Sequence, residues 1–94
     1  MPKAEWNGEV IAESSDIQEV EGNIYFPPNS VKSEFLQQSS HSTTCPWKGV
    51  ASYYNIVVNG KTNESAAWYY PKPLEKAKHI ENYVAFWKGV KITQ

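Results

Sequence analysis

The sequence contains no arginine. Arginine is the side chain best shaped for bidentate contacts to phosphate and guanine, so its absence argues against sequence-specific nucleic-acid recognition. Cysteine occurs once, at Cys45, which excludes an intramolecular disulfide. Leucine is confined to Leu36 and Leu74, a poor supply for a helical bundle. No run approaches the roughly 20 apolar residues that a membrane-spanning helix needs. Met1 to Asn7 is polar and lacks the apolar stretch of a signal peptide. A single thiol and no export signal point to the reducing cytoplasm, with neither a membrane nor a nucleic acid as partner.

Aromatic residues are plentiful: four Trp, six Tyr and three Phe in 94 residues. Together with β-branched residues they suit a pleated surface, so the fold class expected is mainly β. The length suits one domain over residues 1–94, able to hold one core and a modest pocket. The net charge of −1 conceals an uneven spread. Residues 1–35 carry seven acids and two lysines, whereas residues 36–94 carry seven lysines and three acids. A small anion would be steered to the second part, although solvated surface charge accounts for the same pattern.

Val10 to Ala12, Ile17 to Val20 and Asn23 to Phe26 read as short strands, and Pro27-Pro28 ends the third. Asn29 or Ser30 would cap a short helix through about Gln37, with Val31 and Phe35 on one face. The polar run from Gln37 to Thr44 contains an extended segment. The clearest pattern is the alternation from Val50 to Val58, a long strand that turns at Asn59-Gly60 and returns through Lys61 to Tyr70. Leu74, Ala77 and Ile80 suggest a second helical turn after Pro73. Tyr83 to Trp87 and Val90 to Ile92 complete seven or eight strands and two short helices.

Several residues could carry chemistry, and each has an ordinary structural role as well. Cys45 is a candidate nucleophile with Lys48 nearby to favour the thiolate and His41 four residues upstream as its base; otherwise it is a small buried apolar residue. Lys48, between Trp47 and Gly49, could hold a carboxylate or phosphate, or form a Schiff base if its pKa is depressed. Its ordinary role is a snorkelling lysine packed on Trp47. Glu21 could pair with Lys48 or act as a general base, and is otherwise an exposed turn acid. Tyr25, Tyr53, Trp68 and Tyr70 could line a ligand pocket, or be core.

The run Cys45-Pro46-Trp47-Lys48-Gly49-Val50-Ala51-Ser52-Tyr53 resembles the Cys-Pro-x-Lys-Gly-x-Ala-x-Tyr signature of a small bacterial family of unknown function, sometimes labelled nucleotidyltransferase-like. Four further segments resemble its motifs in order: Val10 to Ser14, Val20 to Pro27, Ala67 to Pro71 and Tyr83 to Trp87. One feature differs, since Asn29-Ser30 stands where the family often has an acidic pair. The resemblance implies a β-tent-like fold of two small antiparallel sheets with one or two short helices. Proteins of that architecture often hold zinc between two Cys-x-x-Cys knuckles, which this chain lacks. Cys45, His41 and His79 would supply three of the four ligands that structural zinc requires, so no metal and no cofactor is expected. The nucleotidyltransferase label finds no Gly-rich phosphate loop and no close pair of acids for magnesium.

Two functional expectations follow. In one, a pocket between the sheets holds a small ligand, anionic if Lys48 is its anchor; Cys45, Lys48 and Glu21 are the catalytic candidates. Lys48, Tyr25, Tyr53, Trp68 and Tyr70 are the ligand-binding set. In the other, the chain is a protein-interaction module that uses Trp6, Trp47 and Trp87 and has no catalytic activity. Both are compatible with a monomer or a weak homo-oligomer, and whether the chain is an enzyme stays open between them.

Overall fold

A computed structural model describes all 94 residues, Met1–Gln94. Strands β1 (Lys3–Trp6) and β2 (Glu9–Glu13) form a hairpin across Asn7-Gly8, and β3 (Gln18–Val20) pairs with β4 (Asn23–Tyr25) across Glu21-Gly22. β5 (Leu36–Cys45), β6 (Gly49–Val58), β7 (Lys61–Tyr69) and β8 (Val84–Phe86) follow, and β9 (Lys91–Thr93) ends the fold. The chain is mainly β, as expected, and every strand pairing is antiparallel. The strands group as a four-stranded sheet, β5-β6-β7-β8, a three-stranded sheet, β2-β1-β9, and the separate β3-β4 ribbon. The ribbon is tied to the larger sheet by reciprocal backbone bonds between Phe26 and Val84, at 2.8 and 2.9 Å. No helix is long and apolar enough to cross a membrane.

The long hairpin expected from the alternation is present, with Asn59-Gly60 at its turn. The two short helices are not α-helices. Residues 28–37 form two single turns of 3₁₀ helix, Pro28–Ser30 and Ser33–Phe35, and then enter β5 at Leu36. Leu36, Gln37 and Gln38 pair with Ile56, Asn55 and Tyr54, so inter-strand pairing takes the end of the expected helix, and Val31 bridges to Ala12. The second helical segment is a 3₁₀ stretch, Glu75–Ile80, that buries Ala77 and Ile80.

The four-stranded sheet is covered on both faces. Because successive side chains of a strand point to opposite faces, Ile56 and Val58 of β6 lie on one face with Val84 and Phe86 of β8. That face packs on Ala4, Ile11 and Ala12 of the three-stranded sheet and on Ile24 and Phe26. On the opposite face, Ala51 and Tyr53 of β6 and Ala85 of β8 join Tyr70, Tyr25, Ala77 and Ile80 in a second cluster. The space between the two larger sheets, where a pocket was expected, is therefore filled with aliphatic and aromatic core. Fully burying a side chain such as Ile11 or Ile56 contributes roughly 1.5–3 kcal/mol. An aromatic concavity lies on the second face, and a second hollow, lined by Val31, Leu36, Tyr54, Tyr69 and Val84, borders the first core.

Candidate functional site

Glu21 and Gly22 form the turn of the β3-β4 ribbon with φ of +55° and +79°, the backbone pattern of a type I′ hairpin. Glycine meets this demand freely, whereas Glu21 is held in a left-handed conformation that costs an ordinary residue about 1–2 kcal/mol. The conformation directs its carboxylate at the loop between β5 and β6. There it forms an ion pair with Lys48 and accepts a hydrogen bond from Trp47 Nε1 at 3.3 Å.

The pair is asymmetric. The Lys48 side chain is only 7% exposed and that of Glu21 is 52% exposed. The Lys48 ammonium also lies 5.1 Å from the ring centre of Trp47 and 5.6 Å from that of Tyr70, within cation–π range. Burial pulls the Lys48 pKa down, but the Glu21 hydrogen bond and the proximity of Tyr25, Tyr70 and Cys45 outweigh it, and the net direction is up. That direction favours the protonated ammonium, which suits an anchoring role more than the Schiff-base role. The hydrogen bond from Lys48, with that from Trp47, holds the Glu21 carboxyl below its ordinary range against a small opposing effect of desolvation.

Gly49 locks the loop in place. It opens β6 at φ +108°, and a Cβ there would sit 3.4 Å from the carbonyl oxygen of Lys72 and 3.6 Å from the nitrogen of Leu74. The chain leaving β7 crosses at this point, and Leu74 N–H donates to the Lys48 carbonyl at 3.0 Å. Lys48 is therefore fixed by its backbone as well as by its charge.

The second face of the sheet supplies the walls around Lys48. Tyr53 and Trp68 are direct cross-strand partners on β6 and β7. Tyr70 follows β7, and Tyr25 arrives from β4. The Trp68 indole donates to the Tyr25 hydroxyl at 3.1 Å and meets its ring edge-on, with centroids 6.2 Å apart. The hydroxyls of Tyr53 and Thr43 are 3.0 Å apart. These residues surround a cavity of about 220 Å3 that Asn23 and Trp87 complete. Burial raises the pKa of Tyr25 against the opposing Trp68 hydrogen bond, and raises that of Tyr70 to about 12 against the opposing charge of Lys48. Both phenols are neutral at physiological pH and keep their protons.

All five residues named for ligand binding from the sequence thus line one cavity, with Glu21 paired to its lysine. Cys45 ends β5, half-buried against the same cluster as a free thiol. His41 does not serve it: on an extended strand four residues span roughly 13 Å, and the His41 ring packs on Tyr53 at 4.6 Å instead. No three His, Cys, Asp or Glu side chains meet as a metal-binding group, and His79 stands exposed in the last 3₁₀ stretch. Asn23 and Trp87 were not foreseen as lining. Asn23 had a signal, since it lies two residues before Tyr25 on a strand and so shares its face. Trp87 comes from β8's exit, where its indole donates to the Ser65 carbonyl at 2.7 Å and its ring meets Trp68 edge-on.

Of the three tryptophans named for an interaction patch, Trp47 and Trp87 are exposed and Trp6 is half-buried, and each also has a partner within the chain. Trp6 packs on the first core, Trp47 binds Glu21, and Trp87 walls the cavity.

Residues 2–93 match the model of the family described as Domain of unknown function (DUF427). A search of curated proteins returned no match.

Proposed function

The chain belongs to the DUF427 family, and from that premise we propose that it binds a small molecule in the cavity beside Lys48, with an acceptor group of the ligand held by the lysine. The observation that carries this reading is a buried, protonated lysine at the edge of an aromatic cavity, its charge balanced from the solvent side. An ammonium has three protons, and Glu21 takes one, which leaves donors for a ligand. Tyr25 accepts from Trp68, so its own proton is also available. Small-molecule sites are mostly apolar with a few convergent polar groups, and five of the seven lining residues are hydrophobic or aromatic. The volume is below the roughly 300–1,000 Å3 of drug-sized sites, which favours a single-ring ligand.

In this reading Lys48 anchors, Tyr25 and Tyr70 donate, and Tyr53 and Trp68 supply flat apolar contact. Cys45 and Glu21 are the groups available for chemistry should the site be catalytic. The chain works as a single cytoplasmic domain over residues 1–94, a monomer or weak homo-oligomer, in keeping with its free thiol.

The test is thermal unfolding with single-ring carbonyl and carboxylate compounds. A ligand that binds only the folded state raises the melting temperature. The rise should be present in the wild type and absent in Lys48→Met, which keeps most of the unbranched stem and removes the charge. Full stabilisation of Lys48→Met would remove Lys48 as the anchor.

A further inference from the structure

We infer that the cavity selects a neutral, planar ring carrying a lactam edge, an N–H beside a carbonyl, over an anion of the same size. The inference rests on the ligand-site reading above and goes further by fixing the charge and shape of the ligand.

Charge comes first. A lysine in an aromatic cavity suggests an anion site, but the Lys48 charge is already matched by Glu21 in direct contact. An incoming carboxylate would bring a second negative charge to a lysine that has one, and would have to shed its water to enter. Burying an unpaired charge is costly, whereas a carbonyl can take the remaining Lys48 protons without changing the charge balance. The other nearby cation is Lys88, 5.1 Å from the ring centre of Trp87. It is exposed and tied to the Glu64 carbonyl at 3.1 Å, so solvent and salt screen it from the interior.

Shape comes second. The walls are the rings of Tyr25, Tyr53, Trp68, Tyr70 and Trp87, and flat π-faces favour a flat ligand. The volume, about 220 Å3, is small against the roughly 300–1,000 Å3 of drug-sized sites and suits one ring.

The hydrogen-bonding pattern comes third. Lys48 offers donors only, and Tyr25, whose oxygen already accepts from Trp68, has its proton to give, so both suit a carbonyl oxygen. Asn23 adds an amide on the same wall. An amide donates and accepts side by side, which is how asparagine recognises an adjacent donor and acceptor on a ring. A lactam presents that edge, and neither a simple carboxylate nor a hydrocarbon does.

The experiment follows the indole N–H signals of Trp68 and Trp87 by NMR while the full chain is titrated with 2-pyridone, a neutral lactam, and with benzoate, an anion of similar size. The expected result is 2-pyridone binding about tenfold tighter or more, equivalent to about 1.4 kcal/mol. In Glu21→Gln, which leaves the Lys48 charge unmatched, benzoate should gain about tenfold in affinity and 2-pyridone should change little. Benzoate binding the wild type more tightly, with both signals shifting, would overturn the neutral-ligand inference and leave the ligand site standing. Signals that respond to neither compound would overturn the inference and count against the ligand-site reading as well.

Discussion

The two faces of the four-stranded sheet are built from different chemistry. The first buries Ile56, Val58, Val84 and Phe86 against Ile11, Ile24 and Phe26, with hardly a polar atom among them. The second buries Tyr25, Tyr53 and Tyr70 beside a lysine. An aliphatic core needs only close packing, whereas each buried phenol or ammonium needs a partner or loses its hydration. On the second face three of the four have one: Trp68 for Tyr25, Thr43 for Tyr53, and Glu21 for Lys48, while Tyr70 lines the cavity. No buried side-chain polar atom is left without one. A protein of this size gains little stability from such a face that a second aliphatic layer would not supply more simply. On the ligand-site reading proposed above, its polar groups are surface prepared for another molecule, with the first face carrying the fold.

That division predicts a double dissociation, and its stability arm carries the largest effect. Ile56→Ala, in the first core, should cost about 2–5 kcal/mol in denaturant unfolding and leave probe affinity unchanged at temperatures where the chain is folded. Tyr70→Phe, on the second face, removes one hydroxyl and should cost no more than about 1 kcal/mol, while weakening ligand binding. If Tyr70→Phe destabilised as much as Ile56→Ala, the second face would be core like the first and the comparison would fail.

The first face was more legible from sequence than the second. Alternation from Val50 to Val58 and the Asn59-Gly60 turn define β6, β7 and their hairpin, because a half-buried strand writes its pairing into every second residue. β1 escaped although Asn7-Gly8 is the same dipeptide as Asn59-Gly60, because the polar residues around it hid a four-residue strand. β5 escaped as a full strand for a different reason. It is an edge strand, and seven of its ten residues are exposed, so no apolar period marks it. The helix expected before it dissolved because β6 offers Leu36 to Gln38 a pairing partner. At the site, the Cys-Pro-Trp-Lys-Gly run singled out Lys48, and the charged turn singled out Glu21. Their contact was foreseeable only as an option, since 27 residues separate them. That the cavity opens on the outer face of the sheet depends on how the layers stack, which strand periodicity does not record.

The ion pair sharpens the comparison through pH. Glu21 has its folded pKa depressed, so its contribution is present above the unfolded value near 4.3 and is lost as pH falls through the folded value. Lys48 has its folded pKa raised, so its contribution is complete below the unfolded value near 10.4 and is lost as pH rises through the folded one. The pair therefore stabilises across the intervening range. Removing the exposed partner leaves a buried cation unmatched, whereas removing the buried one leaves a carboxylate in water. Glu21→Gln should thus lower the melting temperature more than Lys48→Met, and its deficit should shrink on acidification below about pH 4. Equal deficits for the two variants at all pH values would mean that Lys48 is better hydrated than its burial implies.

The smallest effect is spectroscopic and samples both faces. Tyr54 lies against the first core and Tyr70 within the second, and the pKa of each is pushed up to about 12, chiefly by burial. Tyr69, stacked on Tyr54 with centroids 4.5 Å apart, adds to the rise, while the Lys48 charge works against it at Tyr70. In the unfolded chain both phenols ionise near pH 10, so folding loses free energy as pH climbs from about 10 towards 12. Tyrosine absorbance of the folded chain should accordingly still be rising at about pH 12, and that late rise should move towards about pH 10 on denaturation. Lys48→Met separates the faces. With the cation gone, the Tyr70 phenol should titrate still later while Tyr54 keeps its place, because only the second face carries a charge to lose.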